Sequence, residues 1–393
     1  MRSQAGVIAV CVAIAGLDGF DVLVVAFTAT ALATEWTLSP SALGVVLSSG
    51  LAGMGLGALA MGPVGDRLGR RPAILISLAG LAVGMALSAL ATSAALFTAS
   101  RFFTGLWIGG ILANINIVVI EYSSDRRRKL NIALMTVGYP LGATIGGLAT
   151  VYLLAAYGWR SVYWFGAIAA VALFPPAWVL MPVGDGTAIR KTNVSPLAVF
   201  APAHRTQTMA ASAAYFCVMM TVYFLLSWTP RTLTQLGFSA TAGINGSLLM
   251  NIGGAVGCIL YGLVAERLGA RRMATFVTVG LFVTSMMFGF VPPVQGTLML
   301  AALAVGFCLN ASISVLYAVV PETFPAAIRT TGTGWAMSVG RLGAVAGPSL
   351  AGVLIEAGWS RPAYFTALGV PMLLAAVCLR WIRPSEAVVP VSR

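Results

Sequence analysis

The chain has 393 residues, of which 59% are hydrophobic and only 9% charged, with a formal net charge of +12. A soluble domain carries roughly 25% charged residues, so this composition excludes an ordinary water-solvated fold and points to a chain surrounded by lipid. The positive balance would suit a nucleic-acid partner, but the basic residues are spread over alternate loops instead of forming one patch, which excludes that reading.

A bilayer core of about 30 Å needs about 20 apolar residues at 1.5 Å rise each. Runs of that length, separated by charge or turn clusters, predict helices over 5–34, 42–63, 72–92, 95–120, 130–156, 160–181, 208–230, 243–265, 273–291, 296–320, 328–355 and 360–382. The predicted fold is therefore an all-α membrane protein of 12 transmembrane helices in two pseudo-symmetric six-helix lobes. The lobes are residues 1–181 and 208–393, joined by a linker over 182–207. Pseudo-symmetry is written in the chain itself. Gly65-Asp66-Arg67-Leu68-Gly69-Arg70-Arg71 returns as Ala265-Glu266-Arg267-Leu268-Gly269-Ala270-Arg271-Arg272. Gly158-Trp159, Glu121, Gly142 and Gly146 are answered by Gly358-Trp359, Glu322, Gly343 and Gly347. A duplication of this kind in an apolar chain marks a two-lobed transporter.

The first span holds Asp18-Gly19-Phe20-Asp21. An acid at the middle of a spanning helix costs roughly 2.5–3.5 kcal/mol, so two on one helix face demand a reason. Asp18 falls about 20 Å in from the inner end, near the midplane. A fixed ion pair is one use for such acids. A proton site is the stronger one, because burial disfavours the charged carboxylate. The second span ends in the charged turn, where Asp66, with Arg67, Arg70 and Arg71, reads as a gate latch; Glu121, Arg126 and Glu266 extend that set. The turn follows a helix and lacks phosphate-loop spacing, so nucleotide binding has no support.

Two basic residues lie well inside spans, away from their ends. Arg101 is in the outer part of the fourth, and Arg341 is at about the depth of Asp18 in the eleventh. Either could pair with an aspartate or hold a substrate carboxylate in a bidentate fork. Asn114, Asn116, Tyr139, Tyr223, Asn251, Asn310, Tyr317 and Trp335 complete a candidate cavity for a flat guest with a few polar groups, although each alone is an ordinary packing residue. Glycines at 138, 142, 146 and 147, and at 340, 343, 347 and 352, allow close helix approach. Their matched places in the repeat also suit sliding surfaces between the lobes.

Basic residues fall mainly on one side: the Arg67 turn, Arg126 to Lys129, Arg190, Lys191, Arg267, Arg271 and Arg380 against Arg160, Arg231 and Arg361. That bias expects both termini in the cytoplasm. Trp36, Trp159, Trp228 and Trp359 are expected at the outer headgroup zone. A cleavable signal peptide ending at Ala31-Leu32-Ala33 would have Asp18 and Asp21 interrupting its core, which disfavours it. The five cysteines are spread over different spans and read as packing residues, and the single His204 reads as solvated; no metal site and no cofactor is expected.

The Gly65–Arg71 turn, its copy and Arg101-Phe102-Phe103-Thr104-Gly105 resemble the major facilitator superfamily along essentially the whole chain. Asp18-Gly19-Phe20-Asp21, Glu121 with Arg126 to Arg128, and the stretch from Arg329 through Trp335 and Arg341 to Pro348 resemble its aromatic acid/proton symporter family. The resemblance implies a bacterial inner-membrane importer of benzoate- or hydroxybenzoate-like acids, in which Asp18, Asp21, Asp66 and Arg341 matter for transport. The expected partners are protons, a small organic anion and the bilayer, with a monomeric chain. The rivals are an efflux antiporter of the same fold and a transport-dead membrane sensor. No nucleophile triad or metal cluster argues for an enzyme.

Overall fold

The computed structural model describes residues 4–124, 127–181, 196–325 and 328–382. Arg126, Arg190, Lys191 and most of the expected linker lie outside them, as do the side chains of Asp66 and Glu266. The described residues are helical almost throughout: α1 Gln4–Glu35, α2 Pro40–Leu68, α3 Arg70–Leu90, α4 Ala94–Tyr122, α5 Arg128–Tyr157, α6 Trp159–Leu180, α7 Arg205–Gln235, α8 Ala240–Leu268, α9 Ala270–Phe290, α10 Gln295–Glu322, α11 Arg329–Glu356, α12 Arg361–Gly369 and α13 Pro371–Trp381. Twelve spans are long and apolar enough to cross a membrane, the last being Arg361–Trp381, which takes in α12 and α13. Pro371 opens α13 where its missing N–H breaks the helical ladder.

Local chemistry sets the ends of these helices. Ser39 and Ser93 cap α2 and α4, each hydroxyl accepting from the backbone N–H three residues on at 3.3 Å. Gly69 at φ 90° turns α2 into α3, and Gly269 at φ 86° does the same between α8 and α9. Only glycine adopts such a conformation without strain, so the repeated turn needs its glycine in both copies.

By contact the chain falls into two units, Met1–Arg190 with Leu226–Leu248, and Lys191–Leu225 with Leu249–Arg393. In the first unit α2 packs on α4, α1 on α5, and α3 on both α4 and α6. In the second, α9 packs on α10, α12 and α13. The glycines of the fifth and eleventh spans serve mainly to bring backbones together inside a unit. A Cβ at Gly142 would run into the Gly16 carbonyl of α1, and one at Gly343 into the Phe216 carbonyl of α7. This corrects the sliding-surface expectation for those positions. It leaves Gly147, which faces Leu248 within the first unit. Of the tryptophans expected near the span ends, Trp228 is fully buried in the protein, and Trp159 is nearly so, packed edge-on against Trp36, Phe97 and Tyr163.

Candidate functional site

The first unit encloses an ion pair. Asp21 on α1 and Arg101 on α4 are 2% and 1% exposed, and Arg101 Nη2 donates to Asp21 Oδ2 at 2.6 Å and to the Asp21 carbonyl at 3.3 Å. The sequence reading had both residues as candidates, one for the proton and one for the substrate; the structure places them on each other. Arg101 Nη1 donates to the Met85 sulfur of α3 at 3.3 Å, and the guanidinium carbon sits 5.7 Å from the centroid of the Tyr163 ring of α6. Arg101 Nε and Asp21 Oδ1 are buried without a hydrogen bond, so the contact is a single strand of the usual fork. Asp18 is also buried, at 3%, one turn earlier on α1. Tyr139 of α5 comes against the same helix through its backbone, whose carbonyl lies over Gly19.

Met85, Thr28 and Tyr163 escaped the sequence reading. In an apolar span a methionine and a tyrosine look like packing, and only the in-span hydroxyl of Tyr163 could have drawn attention. That hydroxyl bonds to Thr28 Oγ1 at 2.8 Å. Thr28 gives its own proton to the Val24 carbonyl at 2.8 Å, so the tyrosine is the donor.

Around the charged turn the residues separate. Arg67 is exposed at the end of α2, while Arg70 is buried at the start of α3. Arg71 stacks over the Trp178 ring of α6 at 4.8 Å, and Glu121 is exposed at the end of α4. Asn114 joins this group: it is fully buried, its Nδ2 donates to the Gly110 carbonyl at 2.8 Å, and its amide lies against Gly65. Asn116 is exposed and bonds only within its helix.

The second unit holds the other candidates. Arg341 and Tyr223 are half-buried on α11 and α7, and Asn251 is buried on α8 with its Nδ2 unbonded. Asn310 of α10 lies against Gly254 of α8. Tyr317 is exposed on α10. Trp335 is 45% exposed and meets Phe200 edge-on at 5.0 Å. Phe200 ends a short 3₁₀ turn, Pro196–Phe200, that leads into α7, so Trp335 braces the end of the linker. Tyr215 of α7 was not singled out from sequence; it is buried beside Gly340, its hydroxyl without a hydrogen bond. Among the described residues no group of three or more His, Cys, Asp or Glu could hold a metal, and all five cysteines are free.

Known proteins give this geometry a setting. The chain is 30% identical over 407 residues to a gallate transporter of Pseudomonas putida, covering 95% of this chain and 90% of that protein. It is 30% identical over 416 residues to a 4-hydroxybenzoate transporter, PcaK, of the same species, covering 96% and 92%. A 3-(3-hydroxy-phenyl)propionate transporter of Escherichia coli (strain K12) is 29% identical over 374 residues, covering 95% and 92%. In fold, the chain superposes on an inward-open structure of the xylose transporter XylE from E. coli with a TM-score of 0.78 at 16% identity, covering 98% of both chains. With twelve spanning helices, and with the model of the Major Facilitator Superfamily matching residues 8–293 and 249–393, this multi-pass membrane protein belongs to that superfamily of transporters.

Proposed function

We propose that the protein is a proton-coupled symporter that imports a small aromatic carboxylate by alternating access of its two halves. The observation that carries this reading is the enclosed Asp21–Arg101 pair with Asp18 one turn away, in a chain whose relatives are named as gallate and hydroxybenzoate transporters. A monomer in a bacterial inner membrane, with both termini cytoplasmic, fits the bias of the basic loops.

Asp18 and Asp21 are assigned to proton coupling and Arg341 to the substrate carboxylate. A proton taken up by the acid pair changes the charge balance with the two in-span arginines, so proton and anion favour each other's binding. Arg101 is enclosed in the first unit with an acid already on it, which favours Arg341 as the guest's cation. Asp66 and the basic turn are assigned to gating, and Asn114, packed on that turn, is assigned with them. Tyr223 and Asn251 are retained as guest contacts. Tyr139, Asn310, Tyr317 and Trp335 keep that assignment too, with Trp335 also bracing Phe200.

The test is uptake of labelled gallate, 4-hydroxybenzoate, benzoate and 3-(3-hydroxyphenyl)propionate into proteoliposomes. Accumulation should require an inward proton gradient and collapse with a protonophore. Accumulation driven by an outward proton gradient would establish the antiport rival instead.

A further inference from the structure

The hold of Asp21 on Arg101 is looser than burial alone would suggest. One guanidinium nitrogen, Nη2, meets one carboxylate oxygen and the carbonyl of the same residue, the other carboxylate oxygen and Nε are left out, and Nη1 has the Met85 thioether, a weak acceptor. A guanidinium joined to its acid through one nitrogen can pivot about that contact unless its other neighbours prevent it. Beside the weak Met85 contact stands the Tyr163 ring, whose negative face attracts the cation.

That ring is itself fixed. Its hydroxyl donates to Thr28, and the ring packs edge-to-face with Phe97 and Trp159, at centroid separations of 5.3 and 5.8 Å. Met85 can reach the guanidinium because the facing residue of α6 is Gly166, where a Cβ would collide with the Met85 methyl. Three helices thus converge on one arginine from α4.

We propose that Tyr163 is the positioning residue of the buried pair: its ring face, set by Thr28, keeps Arg101 turned onto Asp21 and away from the guest. The proposal rests on the reading that this pair serves transport. It separates two roles for arginine in this protein. Arg101 is held as a fixed counter-charge whose loss of aim slows turnover, whereas Arg341 contacts the guest and governs its affinity.

The experiment compares Tyr163→Phe, Tyr163→Leu and Thr28→Val in reconstituted uptake, with thermal unfolding of the purified full chain. Phenylalanine retains the ring face, so Tyr163→Phe should stay within about threefold of wild type in Vmax. Leucine removes it, and Vmax should fall roughly tenfold at unchanged KM, the scale of a desolvated cation–ring contact. Thr28→Val should lower Vmax slightly, and adding it to Tyr163→Phe should cost nothing further, because both remove the same hydrogen bond. In unfolding, Tyr163→Leu should lose less stability in an Arg101→Met background than in wild type.

Equal loss in both backgrounds would reduce Tyr163 to packing and overturn the proposal. So would a raised KM at constant Vmax, which would put the ring in the guest site. Should no aromatic acid be transported, the unfolding cycle still decides the contact: coupling between Tyr163 and Arg101 would then uphold the positioning role while the transport reading fails. Should Tyr163→Leu not fold, the Thr28→Val and Tyr163→Phe pair decides through Vmax, additive losses counting against the proposal.

Discussion

Asp21 and Arg101 illustrate what a buried charge asks of its surroundings. Removing one member leaves the other uncompensated in a low dielectric, a cost of about 3–5 kcal/mol. Asp21→Asn should therefore lower the unfolding temperature markedly, and adding Arg101→Met should restore much of it, because a paired loss leaves no orphan charge. Gradient-driven accumulation should stay lost in both variants; a double variant that accumulates substrate normally would remove the pair from coupling. Arg341 makes a different demand. Lysine keeps the charge but not the planar fork, so Arg341→Lys should weaken binding of the best carboxylate about tenfold, and Arg341→Ala further, up to about a hundredfold. An uncharged amide analogue, titrated in parallel, should lose little in either variant. Equal losses for acid and amide would confine Arg341 to a structural role.

At the scale of helices, association in lipid has no hydrophobic drive and depends on how closely backbones approach. Here α5 meets α1 where Gly142 faces the Gly16 carbonyl, and α11 meets α7 where Gly343 faces the Phe216 carbonyl. The atoms met are backbone, which cannot swing aside. Gly142→Val should then cost about 1–3 kcal/mol by forcing α5 from α1. Because Asp18 and Asp21 lie on α1, the proton dependence of uptake should suffer with it. Thermal unfolding and uptake measured on one preparation would check this, and unchanged values in both would mean that the helices have room to part. The N-terminal half also carries a clip between helix ends, with Trp159 Nε1 donating to Glu35 at 2.5 Å and Arg160 donating to the same carboxylate and to the Ala91 carbonyl. Its counterpart in the repeat, Arg361, keeps the bond to the equivalent carbonyl, of Val291, while Gln235 stands at the end of α7 where α1 has Glu35. The duplicated halves thus preserve the backbone contact and differ in the charged one.

For the whole molecule, transport needs conformations that exchange, and the repeated turn at Asp66 is the element assigned to that step. Asp66→Asn should reduce the maximal transport rate more than it weakens equilibrium binding, because it changes the balance between states and not the contacts with the guest. Transport at saturating substrate, set beside binding measured without a gradient, makes the comparison; an unchanged maximal rate would remove Asp66 from the gate.

Span number, the duplication and the acid pair were legible in the chain because lipid imposes a length of about 20 apolar residues and makes every charge within one conspicuous. Asp18, Asp21 and Arg101 stand out for that reason alone. Which cation meets which acid was not legible. A helix that is apolar on all sides carries no period that says which face turns inward, so the pairing of Arg101 with Asp21 depended on how α1 and α4 pack. The same limit hid Tyr163 and Met85, which are unremarkable span residues until three helices bring them to one guanidinium. It also hid the places of Trp335 against the linker turn and of Asn114 against the charged turn. Residue chemistry and the bilayer determined how many helices form and which side chains need partners; helix packing alone decided the partners.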